Sequence, residues 1–360
     1  VNWYVEHVPE LPGTDNFSWI TGWTSAESGD ALTALLAEHQ IRGLLRTSEP
    51  PPGIEPPSLF SNPPWMRPFE FFTGLLGVPA AGEADPTMVV AIVGPLMFGY
   101  MFGDVGHGAV LMLAGALFCR RFPALKLLIA GGAVSIVFGF LYGSVFSMED
   151  VIPALWLHPL EHPVRILTIP LVGGAVLLLV GMLLEAAQQA WQHHFATWLK
   201  TGAALVVCYL ALLGALFEIR LLWVALAAAV WYVTGQALVA ADKHLLALGG
   251  ALSELGETLL QLAVNTVSFV RIGAFALAHA GLSAAVLGVS EAPGSVTGML
   301  LVLVLGNALI IGLEGLIVGI QTTRLVLFEF FIRFLKAGGR PFKPLTIPDS
   351  SATLHKRLGK

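Results

Sequence analysis

Charge is scarce in this chain: Asp, Glu, Lys and Arg make up only 12% of its 360 residues. A soluble domain of this size carries about 25%, so an ordinary water-soluble protein is excluded. Cysteine is nearly absent. Cys119 and Cys208 stand in separate apolar runs, which suits neither a disulfide framework nor a metal site. There is no basic stripe, and the net charge is −5, so nucleic acid is not an expected partner. Walker A, nucleophile-elbow and dinucleotide patterns are also missing. The chain is therefore expected to hold no nucleotide site and to be no enzyme on its own. It starts at Val1 without an apolar signal-like stretch, from which an N-terminal truncation is expected.

What is present is apolar, at 56% of residues, and unevenly placed. Residues 1–86 are rich in proline and polar residues. From Met88 onward, long apolar runs alternate with short charged breaks. A transmembrane helix needs about 20 mostly apolar residues. The runs are 88–103, 105–119, 125–146, 164–184, 202–219, 221–240, 257–288 and 296–334. They predict an all-α polytopic membrane protein with about eight transmembrane helices. The first two runs are short and share a turn at Gly103–Gly108, which predicts a tight hairpin. The last two exceed the needed length and are expected to tilt.

Three parts are expected: a small cytoplasmic segment at 1–86, a membrane domain at 87–335 and a cytoplasmic tail at 336–360. Ser25–Gln40 has helical spacing, with Ala31, Leu32, Leu35 and Leu36 on one side. Pro50, Pro51, Pro52, Pro56 and Pro57 predict a stiff linker.

Orientation follows the Lys/Arg bias of short loops. One set of breaks carries Arg120, Arg121, Lys126, Lys200 and Lys243, and the tail adds Lys336, Arg340, Lys343, Lys356, Arg357 and Lys360. The alternate breaks hold Glu149, Asp150, Glu161 and Glu291. Arg165 and Arg220 lie on the wrong side, each with a carboxylate close in sequence, Glu161 and Glu218. Both termini are thus expected in the cytoplasm.

The seventh run carries the chemistry. Glu257, Gln261, Asn265, Ser268, Arg271, His279 and Ser283 fall mostly within one stripe, with Arg271 on its edge. Such a stripe faces a water-filled cavity or a polar partner, not lipid. Arg271 lies about 14 residues, or ~21 Å, from the cytoplasmic end. An arginine cannot discard its proton, so a fixed charge stands near the membrane middle. It is either a structural arginine paired with a neighbouring helix or a functional one. The eighth run repeats the theme. Asn307, Glu314 and Gln321 recur every seven residues, and Arg324 follows one turn later. Glu314 is about 15 Å along the helix from Arg324, too far to pair with it directly. It is left either to tie the helices together through His279 or to relay protons. Glu257 and Gln261 fall on the cytoplasmic side of Arg271, and His279 and Glu314 beyond it. This is the layout of two half-channels that do not meet.

Met101–Gly108 reads MFGDVGHG. Its glycines suit a turn, and Asp104 and His107 are expected to cap helix ends or, alternatively, to line an exit path. His193 and His194, with Gln188, Gln189 and Gln192 nearby, offer too few ligands. No metal and no cofactor are predicted.

Several stretches resemble the a subunit of V-type and archaeal-type ATPases, also called subunit I or the 116 kDa subunit family. They are Gly22–Trp23 before a helical stretch, PPSLFSNPPWMRPFEFFTGLLGVP at 56–79, MFGDVGHG at 101–108, RIGAFALAHAGLS at 271–283, EGLIVGIQTTR at 314–324 and AGGRPFKPL at 337–345. The resemblance implies that Arg271 is the stator arginine, Arg324 the second arginine and Gln321 the glutamine before it. It places His279 and Glu314 in the non-cytoplasmic half-channel and Glu257 at the cytoplasmic entry. The implied partners are a proteolipid c-ring, other V0 and peripheral-stalk subunits and the lipid bilayer. The implied activity is rotary proton translocation driven by ATP, or its reverse, in a prokaryotic plasma membrane. The family also has a long cytoplasmic arm, and only about 86 residues here precede the membrane. A secondary transporter and a membrane scaffold without an ion path remain the rival readings.

Overall fold

The computed structural model describes residues 20–25, 29–48, 55–80, 82–148, 151–239, 244–291, 295–331 and 338–343. Pro50, Pro51, Pro52, Glu149, Asp150, Lys243, Lys336, Lys356, Arg357 and Lys360 lie outside them. Two compact units divide the chain, Val1–Ser61 with Gly338–Lys360, and Asn62–Ala337.

The first unit holds α1 (Asp30–Glu38), shorter than the 25–40 stretch read from spacing. Leu32 and Leu35 on its apolar side are exposed. Ser58 forms an isolated parallel bridge with Pro341. Its N–H donates to the Arg340 carbonyl at 2.8 Å, and its carbonyl accepts from the Phe342 N–H at 2.9 Å. Two stretches far apart in sequence, PPSLF and GRPFK, are thereby joined.

The second unit is helical throughout its described regular elements. In order these are α2 (Glu70–Leu76), α3 (Thr87–Met101), α4 (Val105–Phe118), α5 (Lys126–Tyr142), α6 (Pro163–Trp191), α7 (Phe195–Lys200), α8 (Gly202–Ala215), α9 (Leu221–Val239), α10 (His244–Ser268), α11 (Val270–Glu291), α12 (Val296–Leu309) and α13 (Gly315–Arg324). Among the described residues, six helices are long and apolar enough to cross a membrane: Pro123–Tyr142, Pro163–Trp191, Phe195–Ala215, Leu221–Val239, Gly249–Glu291 and Val296–Phe330. The first two apolar runs form the shorter helices α3 and α4. Leu117, Val137, Val172, Leu183, Trp223 and Leu316 are exposed on these helices. Apolar surface that extensive belongs in lipid, not in water. The protein is an all-α, polytopic integral membrane protein.

Three local features depart from the sequence reading. First, α3 and α4 do not form a tight hairpin: α5 packs along both of them. Glycines permit this. A Cβ on Gly99 would stand 2.7 Å from the Val134 backbone, and one on Gly108 2.8 Å from the Gly132 carbonyl. Backbones approach this closely in membranes where small residues meet.

Second, the seventh run is not continuous. Phe269 separates α10 from α11. Its N–H donates to Thr266 at 3.2 Å and its carbonyl accepts from Ile272 at 3.0 Å, both tighter three-residue turns. The Phe269 side chain is wholly buried and leans over Gly174 of α6, where any Cβ would collide with its ring. Gly273 likewise lies against the Ile166 backbone of α6. These contacts fix α11, and with it Arg271 and His279, against α6.

Third, the last helix contains two π-helical segments, Ile310–Glu314 and Leu325–Phe330. They flank α13. π segments recur inside α-helices at functional sites. Their wider turn ends the seven-residue register on either side.

Candidate functional site

The polar residues of α10, α11 and the last helix gather into two groups. The first surrounds Arg271, two residues past the break at Phe269. Its Nη1 donates to the Gln321 Oε1 at 3.5 Å. The same nitrogen stands 4.0 Å from the Glu329 Oε1. Both contacts are long, so the guanidinium is loosely held. It keeps 26% of its side-chain surface exposed, against 5% for Glu329. Arg324, Glu257 and Gln261 are exposed, and Asn265 is half-buried. A fixed charge and several polar groups therefore face outward from helices that otherwise present apolar surface.

Glu329 is the functional candidate that sequence reasoning missed. It follows Arg324 by five residues and lies inside the second π segment. A register carried on at α-helical spacing could not assign its face. One of its oxygens, Oε2, is buried with no hydrogen-bond partner among the described residues. The signal was available only as an acidic residue inside an apolar run.

The second group lies further along α11, eight residues or ~12 Å beyond Arg271. The His279 Nδ1 and the Glu314 Oε2 are 2.9 Å apart, both side chains nearly buried. The carboxylate oxygen is the acceptor and Nδ1–H the donor of this bond. Asn307, seven residues before Glu314, meets His107. The His107 Nε2–H donates to the Asn307 Oδ1 at 2.5 Å, and the Ser147 hydroxyl donates to the same oxygen at 3.0 Å. The His107 and His279 rings are 5.5 Å apart, with the Phe102 ring beside both. Asp104 caps α4 by accepting from the His107 N–H at 2.9 Å. It accepts as well from the Phe146 N–H at 3.0 Å, the Ser147 N–H at 3.1 Å and the Ser144 hydroxyl at 2.7 Å. Four donors make this buried carboxylate a stable acceptor.

Asn307, Glu314 and Gln321 thus reach three different partners: His107, His279 and Arg271. The arrangement offers a permanent cation with weak internal contacts, and a buried His–carboxylate group that can exchange protons. The outlying pair Arg220–Glu218 also forms, at 3.6 Å and exposed.

Residues 15–149 match the model of the V-type ATPase 116kDa subunit family. An A-type ATP synthase subunit I from Aeropyrum pernix is 27% identical over 81% of this chain and 51% of its own length. One from Halobacterium salinarum is 27% identical over 80% of this chain and 51% of its own. One from Archaeoglobus fulgidus is 38% identical over a shorter stretch, 26% of this chain and 15% of its own. The chain spans about half the length of the relatives that align along most of it. The family match contains the MFGDVGHG turn that holds Asp104 and His107 at the buried polar group. The alignments to subunit I proteins extend that match over four fifths of the sequence. The chain is thus similar to the V-type ATPase 116kDa subunit family over residues 15–149, and to A-type ATP synthase subunit I proteins along most of its length.

Proposed function

We propose that this chain is the membrane stator subunit of a rotary V-type or A-type ATPase, and forms two half-channels for protons against a proteolipid ring. One observation carries the reading. Arg324, Glu257 and Gln261 are exposed on membrane helices, and Arg271 keeps 26% of its side-chain surface exposed beside them. Lipid cannot solvate them, so a polar partner must cover that face. A ring subunit with one buried carboxylate per ion site fits this need.

In this reading Arg271 attracts each passing ring carboxylate and favours its ionised form. Gln321 and Glu329 hold the guanidinium between encounters, and Arg324 adds positive charge on the same face. The released proton leaves by one half-channel. Glu257 and Gln261 serve the cytoplasmic one. Asn307, Glu314 and His279 serve the other, braced by Asp104 and His107. Rotation brings the next carboxylate to the second half-channel, where it reprotonates and enters lipid neutral. Nucleotide chemistry belongs to other subunits. Residues 1–86 and 336–360 are assigned to the cytoplasm with both termini, residues 87–335 to a prokaryotic plasma membrane. Peripheral-stalk and other V0 subunits complete the assembly.

The interruption at Phe269 is the one feature that favours a secondary transporter, whose sites sit at broken helices. Co-purification separates the two readings. The chain, tagged and extracted in mild detergent, is expected to bring down a small proteolipid subunit in several copies. A chain that purifies alone under conditions preserving its homologues' complexes contradicts the stator reading.

A further inference from the structure

Asp104, His107 and His279 each offer one ligand atom, all within 4.8 Å of one another, and all three side chains are buried. Spacing along the chain could not reveal the group, because α4 and α11 bring its members together. The hydrogen bonds around it set the tautomers. His107 gives its Nε2–H to Asn307, which leaves Nδ1 with a bare lone pair. His279 gives its Nδ1–H to Glu314, which leaves Nε2 bare. These two nitrogens are buried with no hydrogen-bond partner among the described residues. The His107 Nδ1 stands 3.7 Å from the Asp104 Oδ1.

Such an arrangement matches the outer shell of a metal site. A histidine that binds metal gives its other N–H to a carboxylate or amide oxygen, which fixes ring and tautomer. Two imidazoles and one carboxylate suit zinc and similar dications, not the hard cations that prefer oxygen alone. Ligand atoms ~2 Å from zinc stand about 3.3 Å apart in a tetrahedral site. The observed 3.7 Å and the 4.8 Å limit lie within small side-chain rotations of that.

We propose that Asp104, His107 and His279 form a binding site for a zinc-like dication, and that an occupied site stops transport along the His279–Glu314 path. The second half rests on the half-channel reading; binding itself does not. Occupancy would lock the His279 ring by its free nitrogen and leave a dication beside Glu314.

The test uses the full chain in its purified complex, stripped with chelator and returned to lipid nanodiscs, with zinc chloride as the probe. One zinc per chain is expected even in a His193→Ala/His194→Ala background, which removes the exposed histidines that are the obvious adventitious ligands. His279→Gln should weaken binding by at least about tenfold and His279→Cys, which restores a ligand, should recover it. Asn307→Ala should weaken it by roughly 10–100-fold, as loss of an outer-shell partner does. In vesicles, the ratio of acidification rates with and without zinc should fall in the unaltered complex and return with chelator. No uptake of added zinc by the stripped complex, or equal binding by His279→Gln, overturns the site. Zinc bound in the expected pattern without any fall in that ratio overturns the block. A complex that binds zinc as expected but translocates no protons counts against the half-channel reading and leaves the site standing.

Discussion

Replacing Arg271 by lysine is expected to abolish coupled proton transport while the complex still assembles. The substitution keeps a positive charge, so a purely structural arginine would be replaced with little loss. Lysine, however, is a compact point charge without the planar, multi-donor fork, and it can lose its proton. Arg271 spreads its contacts between Gln321 at 3.5 Å and Glu329 at 4.0 Å. Both contacts come from Nη1, so the remaining N–H donors of the fork are left to meet an arriving carboxylate. Acidification by Arg271→Lys vesicles should fall to the level of vesicles without the complex, with a normal yield of ring-bound chain in pull-down. Substantial pumping, or loss of assembly, contradicts the role given to this residue.

The second large effect is expected beyond the arginine. His279→Ala with Glu314→Gln removes the 2.9 Å pair and the two side chains assigned to the proposed non-cytoplasmic half-channel. Positioned proton-transfer groups contribute roughly 10²–10⁴-fold in enzymes, so transport should slow by at least about tenfold. The ring should remain bound, because neither residue lies on the outward face. The pair also ties α11 to the first π segment. A melting measurement on the purified variant therefore separates slower transport from a loosened fold. Normal pumping by the double variant counts against a proton path here.

Much of the fold was legible in the chain. Apolar runs long enough to span a bilayer are a composition signal, and each of the long ones coincides with a candidate membrane span. The packing was less legible. Neighbouring runs 88–103 and 105–119 suggested a hairpin, but pairing is decided by where backbones can approach. The glycines at 99, 108, 132 and 139 gave that place to α5. Helix interruptions were not legible at all. Nothing in the apolar composition of 257–288 or 296–334 announces the break at Phe269 or the π segments.

The candidate site divides the same way. The polar residues from Glu257 to Ser283 were visible because membrane helices rarely carry them, whereas the seven-residue spacing of Asn307, Glu314 and Gln321 is interrupted by the π segment at Ile310–Glu314. Glu329 escaped because the second π segment changes the register. The closeness of Asp104 and His107 to His279 escaped because the two stretches are far apart in the chain and meet only through the packing of α3, α4 and α11.

The central claim is that a ring subunit covers the face around Arg271, and cross-linking tests it most directly. Val267 and Ile320, each one turn or less from Arg271 or Gln321 in sequence, are 63% and 58% exposed in the chain. Val172 on α6 is exposed to a similar extent, 57%, but belongs to no polar stripe. Single cysteines at these positions can be oxidised against cysteines introduced along the ring subunit's carboxylate-bearing helix, in native membranes. The account predicts disulfides from positions 267 and 320 and none from 172. Ring cross-links from 172, with none from 267 or 320, would contradict it.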